Sequence, residues 1–194
     1  MDQFSKDQQT KFEAVWNPQG HGNYRLGSPG ARLVKRFMQY APPGCVVNDY
    51  GAGTGRASVA LWAAGYRVNM VEIAGNALEA EALASLGEGL NWIQASIWVL
   101  PAKFPKANWG YCIEVLMTLP AERLDQAVRE IRRTCRNLFV QVADWSDRRL
   151  GMEFNTIRMD AESWQTKLLE HWNTVERLLS EEDYRRYIFV CRGE

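Results

Sequence analysis

Three glycines at alternate positions, Gly51, Gly53 and Gly55, constrain this chain more than any other feature. They follow the apolar run Cys45-Val46-Val47 and precede the helical pattern of Ala57 to Ala64. A loop without Cβ atoms lets the backbone turn sharply between a strand and a helix, and lets a ligand approach the main chain closely. The loop is not the nicotinamide fingerprint Gly-x-Gly-x-x-Gly, because its sixth position is Arg56. It is not a P-loop, because no lysine follows these glycines. Asp49 precedes the loop, where a carboxylate repels a pyrophosphate and suits a cationic ligand. Glu72 follows Gly55 by 17 residues, at the end of the next apolar run. An acid at that strand end can accept hydrogen bonds from both hydroxyls of a ribose. Together the two acids describe a ligand with a positive end and a ribose.

The rest of the chain alternates. Residues 1–15 are polar, with Phe4, Phe12 and Val15 as anchors, and read as a helix; residues 17–30 hold four glycines and two prolines and read as a loop. Ser28-Pro29 reads as an N-cap with proline at the first helical position, opening a helix that Pro42-Pro43 ends. Strands are predicted at 45–47, 67–73, 90–94, 108–115 and 138–143, and helices at 57–64, 74–86 and 120–136. This order implies an α/β fold: a mostly parallel sheet with helices on both faces. Residues 161–170 read as a helix, and 173–179 and 184–191 as two strands joined by Ser180-Glu181-Glu182-Asp183. So short a link forces antiparallel pairing and brings the sheet to seven strands. A length of 194 residues suits a single domain over 1–194, with a helical lead-in at 1–41 and a sheet core at 42–194.

Lys+Arg and Asp+Glu each number 23, so net charge makes no case for a dedicated nucleic-acid binder. Arg129, Arg132, Arg133 and Arg136 are spaced to share one helix face, which is either a phosphate-tracking stripe or a solvated surface. No apolar run approaches the ~18–20 residues of a membrane span. The polar N-terminus lacks the apolar stretch of a secretory signal, so a cytoplasmic location with no membrane partner is expected. Cys45, Cys112, Cys135 and Cys191 form no Cys-x-x-Cys pair and read as reduced structural thiols. His21 and His171 have no partner at ligand or triad spacing, so no metal site is expected. Trp98, Trp145 and Trp164 stand near loops where a substrate could stack, or else belong to the core.

At this point the residues resemble a class I S-adenosylmethionine-dependent methyltransferase. The likeness rests on Asp49-Tyr50-Gly51-Ala52-Gly53-Thr54-Gly55, on Glu72, and on the fourth-strand segment Gly110-Tyr111-Cys112-Ile113-Glu114-Val115-Leu116-Met117-Thr118-Leu119-Pro120. It covers about residues 20–192 in order of elements, and the lead-in from Tyr24 to Val34 is similar to that of small phage-type members. The resemblance implies a Rossmann-like seven-stranded sheet with a C-terminal antiparallel hairpin, and S-adenosylmethionine as cofactor. It implies that Asp49 and the backbone of Gly51, Ala52, Gly53 and Gly55 face the methionine portion. Glu72 would take the ribose diol, with Ile73 against the base, and Ile97 is a further cofactor-binding candidate. Ser96 stands where the family usually has an acid for the adenine amino group. Glu114 would lie close to the methyl group, and Asn155 stands where many members have a histidine; these two are the candidate catalytic residues. Arg25 is either a clamp for the methionine carboxylate or a surface arginine.

The acceptor implied is a small molecule or a nucleotide. The Asp/Asn-Pro-Pro-Tyr/Phe segment of amino-directed DNA enzymes is replaced by Glu114-Val115-Leu116-Met117, no cysteine follows any of the seven prolines, and 194 residues leave no room for a separate target-recognition domain. Ser96, Met117-Thr118 and Asn155 depart from the family pattern, which keeps open a protein that binds the cofactor but acts as a partner or regulator. A nucleotide-dependent oxidoreductase on a related sheet is disfavoured by Arg56.

Overall fold

The structure, a computed structural model, describes residues 2–17, 29–143, 154–178 and 186–194. Five strands pair in parallel in the order β3 (Leu90–Gln94), β2 (Arg67–Glu72), β1 (Val46–Tyr50), β4 (Ala107–Ile113) and β5 (Cys135–Ala143). Antiparallel β7 (Arg186–Arg192) and β6 (Thr174–Leu178) complete the seven-stranded sheet. This is the expected Rossmann-like sheet with its C-terminal hairpin. The hairpin's predicted turn lies outside the described residues, as do Arg25, His21, the Ser28 N-cap and Trp145.

Helices cover both faces, as a sheet buried on both sides requires. On one face lie α2 (Pro29–Phe37) and α3 (Arg56–Ala63), where Phe37 meets Tyr66, Trp109, Tyr111 and Phe139 at ring-centroid distances of 5.2–5.8 Å. On the other lie α5 (Leu124–Thr134) and α6 (Ala161–Leu169), around the fully buried Ile131, Trp164 and Leu168. Trp164 is therefore core, whereas Trp98 lines the cavity described below. An asparagine ladder pins the central register: Asn69 donates to Asn48 Oδ1 at 2.9 Å, and Asn91 to Asn69 Oδ1 at 3.2 Å.

Two predicted helices are shorter than their patterns suggest. Residues 74–86 yield only α4 (Ala80–Ala84). Before it, the Ala74 amide is taken by the Glu72 carboxylate and the Asn76 side chain donates to the Glu13 carbonyl, so neighbouring elements shape the path. The predicted helix at 120–136 divides into a 3-10 turn (Ala121–Arg123) and α5, because Cys135 and Arg136 already belong to β5. The arginine stripe is broken accordingly. Arg132 donates to the His171 carbonyl, Arg133 pairs with Glu130 at 2.6 Å, and Arg136 reaches the Gly193 carbonyl from the strand. The first strand is longer than expected and carries Asp49 and Tyr50 within it.

Cys112, Cys135 and Cys191 are buried free thiols, and burial pushes the Cys135 thiol up to about 12. None of the described helices is long and apolar enough to cross a membrane. Among the described residues no three His, Cys, Asp or Glu side chains gather into a metal site.

Candidate cofactor and active site

A cavity of about 880 Å³, counting its open mouth, lies at the carboxyl ends of β1, β2 and β4. The sheet order reverses direction between β1 and β4, the place where open α/β sheets bind ligands.

The glycine loop forms its floor. The Gly51 and Ala52 amides donate to the Val71 carbonyl at 2.8 and 3.0 Å, tying the loop to β2. Gly51, Gly53 and Gly55 all have positive φ, at 75°, 54° and 80°. Their roles differ. A Cβ on Gly51 would lie 2.3 Å from Val115 Cγ2, and one on Gly53 would lie 2.9 Å from the Trp16 ring. Gly55 does not line the cavity; its Cβ would strike Ala82 and Leu78, so this third glycine serves helix packing rather than ligand approach.

Both predicted acids line the cavity and are buried. Glu72 accepts from the Gly53 amide at 2.8 Å through Oε2 and from the Ala74 amide at 2.9 Å through Oε1. Each oxygen keeps a lone pair for a further donor. Asp49 accepts from the Ser58 hydroxyl at 2.6 Å. Burial pushes the Asp49 carboxyl up to about 7, against the Ser58 bond and with the Glu72 charge adding to the rise. Burial also raises Glu72, although backbone amides oppose it. Two adjacent acids in an apolar cavity are poorly stabilised as anions and suit a cation between them.

Of the remaining predicted residues, Ala52, Ile73, Ser96, Ile97 and Glu114 line the cavity. Asn155 does not: it is buried in the segment that crosses the turn after β4, where Ile157 N donates to the Met117 carbonyl and the Thr156 hydroxyl bonds the Leu119 carbonyl. Glu114 sits at the end of β4 with φ +60°, an uncommon conformation for a residue bearing a Cβ. Arg186 at the start of β7 holds its carboxylate at 2.5 Å, and both side chains are buried. Gln141 on the neighbouring β5 is buried in the same sheet layer, its residue paired with Ile188 of β7.

The sequence reading missed the roof. Helix α1 (Gln3–Trp16), capped by the Asp2 carboxylate on the Ser5 amide, places Gln8, Phe12 and Trp16 in the cavity wall. It is fastened by Ser5 to Ser96, by Glu13 to the Gly75 amide and the Asn76 side chain, and by Phe12 against Phe154. Pro29 and Gly30 of α2 join the wall, anchored by the Tyr111 hydroxyl on the Gly30 carbonyl at 2.6 Å. Arg186 was also missed. The sequence offers a helix at 1–15 anchored by Phe4, Phe12 and Val15 but not its place over the cavity, because the polar Ser5 and Gln8 on its buried side mask the amphipathic pattern.

Strand order, glycine floor and paired acids agree with the resemblance to class I S-adenosylmethionine-dependent methyltransferases. Residues 48–138 match the family model for the methyltransferase domain. No curated protein matches the sequence. Solved structures share the fold. One is the 1,6-didemethyltoxoflavin-N1-methyltransferase of Burkholderia thailandensis with bound 1,6-didemethyltoxoflavin and S-adenosylhomocysteine. It is similar at a TM-score of 0.77 and 13% identity, over 98% of this chain and 89% of that one. The magnesium protoporphyrin IX methyltransferase of Synechocystis PCC 6803 with bound S-adenosylmethionine has a TM-score of 0.68 at 16% identity, over 100% and 99%. The 4+2 cyclase SpnF has a TM-score of 0.69 at 16% identity, over 90% and 74%.

The residues present fit such a cofactor. The cavity offers glycine backbone where a side chain would clash, two buried acids for a positive end and a diol, and apolar walls at Ile73 and Ile97.

Proposed function

We propose that this protein binds S-adenosylmethionine through Asp49, the Gly51–Gly53 floor and Glu72, and transfers its methyl group to a small-molecule acceptor. The observation that carries this reading is the pair of buried acids aimed into one largely apolar cavity. The cofactor supplies a methyl group on a positive sulfur, already activated for in-line displacement. The chain then contributes mainly position, a source of roughly 7–11 kcal/mol in well-oriented reactions. Glu72 takes the ribose hydroxyls with its two spare lone pairs. Ile73 and Ile97 flank the base. Asp49 faces the positive end. Glu114, fixed by Arg186, faces the acceptor and orients it rather than serving as a free base; Asn155 supports the turn that holds Glu114. Arg25 lies outside the described residues and remains the proposed partner of the methionine carboxylate.

Thermal unfolding with and without S-adenosylhomocysteine tests the reading. Ligand at ~100 times its dissociation constant adds about 2.7 kcal/mol. For a chain of this length the midpoint should rise by roughly 5–10 °C, while NAD leaves it unchanged. No rise overturns the assignment.

The Asp49 shift predicts a pH dependence. Its carboxyl titrates near 3.8 when unfolded and at about 7 when folded without ligand, so between these values the folded chain holds a proton. A cation beside the carboxylate expels that proton. Affinity for S-adenosylmethionine should therefore fall as pH drops below about 7, by up to ~10-fold per unit, and level off above about 8. The same shift acts oppositely on the ligand-free fold: the stability conferred by the retained proton is present below pH 3.8 and lost as pH rises through about 7. Calorimetry from pH 5.5 to 8.5 should show the slope in the wild type and none in Asp49→Asn, and the ligand-free variant should unfold at a higher temperature than wild type at pH 8.

A second reading, cofactor binding without methyl transfer, is favoured by the Arg186 ion pair that occupies Glu114. Turnover of labelled donor with any acceptor would exclude it.

A further inference from the structure

Helix α1 does more than roof the cavity. Ser5, Gln8 and Phe12 follow one another at spacings of three and four, so they share one helix face. Ser5 fixes where that face lies: its hydroxyl bonds Ser96 Oγ at 3.1 Å, just beyond β3. This bond also occupies Ser96, leaving its hydroxyl less able to serve a ligand. One turn further along, Gln8 is 8% exposed and lines the cavity. Its Oε1 is fully buried and has no hydrogen-bond partner among the described residues. A buried amide oxygen left unmatched costs free energy, which a donor entering the cavity recovers.

The sheet order says which donor arrives there. Cavity groups run from the β3 end (Ser96, Ile97) past β2 (Glu72) and β1 (Asp49) to β4 (Glu114). With the ribose on Glu72 and the positive end at Asp49, the base lies toward β3, under Ser5 and Gln8. The ribose hydroxyls are served by Glu72, so the donor left over at that end is the exocyclic amine of the base. We propose that Gln8 Oε1 accepts a hydrogen bond from the 6-amino group of adenine, making α1 the element that selects an adenine cofactor over other purines. This rests on the cofactor reading above.

The test compares S-adenosylhomocysteine with its 6-desamino analogue, which keeps ribose, purine ring and amino acid but lacks the amine. Calorimetry should give the wild type a preference of about 10-fold or more for the adenine compound, near the worth of one net hydrogen bond. Gln8→Met keeps size and removes the acceptor. It should bring the preference to within about twofold by weakening the adenine compound alone. Gln8→Glu, which keeps an acceptor oxygen, should retain the preference and shows that the helix still docks. A Gln8→Met variant that keeps the wild-type preference overturns the proposal. Binding of neither compound to the wild type overturns the cofactor reading and this one with it, whereas equal binding of both to the wild type overturns this one alone.

Discussion

Glu72→Ala should weaken S-adenosylhomocysteine binding by about 100-fold or more. Two losses combine. The ribose hydroxyls lose their acceptor, at about 1–3 kcal/mol for polar groups left unpaired. The cavity also loses its scaffold, because the same carboxylate holds the Gly53 amide at 2.8 Å and the Ala74 amide at 2.9 Å. Gly53 is in the floor of the site and Ala74 begins the path to α4, so both walls loosen around the ribose. Roughly 3 kcal/mol in total corresponds to a little over 100-fold. Glu72→Gln keeps one acceptor oxygen and should fall between wild type and alanine. The ligand-free variants should unfold within a few degrees of wild type, since the carboxylate whose burial raises its pKa is removed along with the two bonds. Calorimetric titration of the three proteins measures the series. Unchanged affinity in the alanine variant would place the ribose elsewhere.

Gly51→Ala should cost about 2–4 kcal/mol of stability and abolish cofactor binding. The residue has φ +75°, where an L side chain is strained, and its Cβ would lie 2.3 Å from Val115 Cγ2 and 3.0 Å from Cγ1. Valine is stiff about χ1 and cannot swing away at low cost. The loop must lift or the turn after β4 must retreat, and that turn carries Glu114. At about 2–4 °C per kcal/mol, the unfolding midpoint should fall by roughly 4–16 °C. Adding Val115→Ala removes the obstructing methyls and should recover the larger part, leaving the left-handed backbone cost of about 1–2 kcal/mol. If the double variant is no more stable than Gly51→Ala, the steric account is wrong.

Much of this site is local in sequence. Asp49, the glycines and Glu72 lie on two consecutive strands and the loop between them, and parallel pairing of adjacent strands puts their ends side by side. Alternation of strand and helix therefore carried the site along with the fold. Gly55 shows the limit of that logic. It belongs to the same glycine run, yet it packs against Leu78 and Ala82, a contact that exists only once α4 is docked. The predicted helix at 74–86 fails for a similar reason, since helical propensity there competes with the Glu72 carboxylate and the Glu13 carbonyl, each from another element.

The sequence by itself determined the class of fold, the end of the cavity lined by the glycine loop, Asp49 and Glu72, and the antiparallel finish, because periodicity and a strand–glycine–helix junction act over short separations. Only the tertiary structure decided the roof and the far wall. Gln8 and Trp16 enter the cavity wall from a helix more than 30 residues upstream of Gly51, and Arg186 meets Glu114 across 72 residues. Such pairs obey no spacing rule: a polar residue on a buried helix face and an arginine at a strand start look like surface until the sheet closes and removes the water around them.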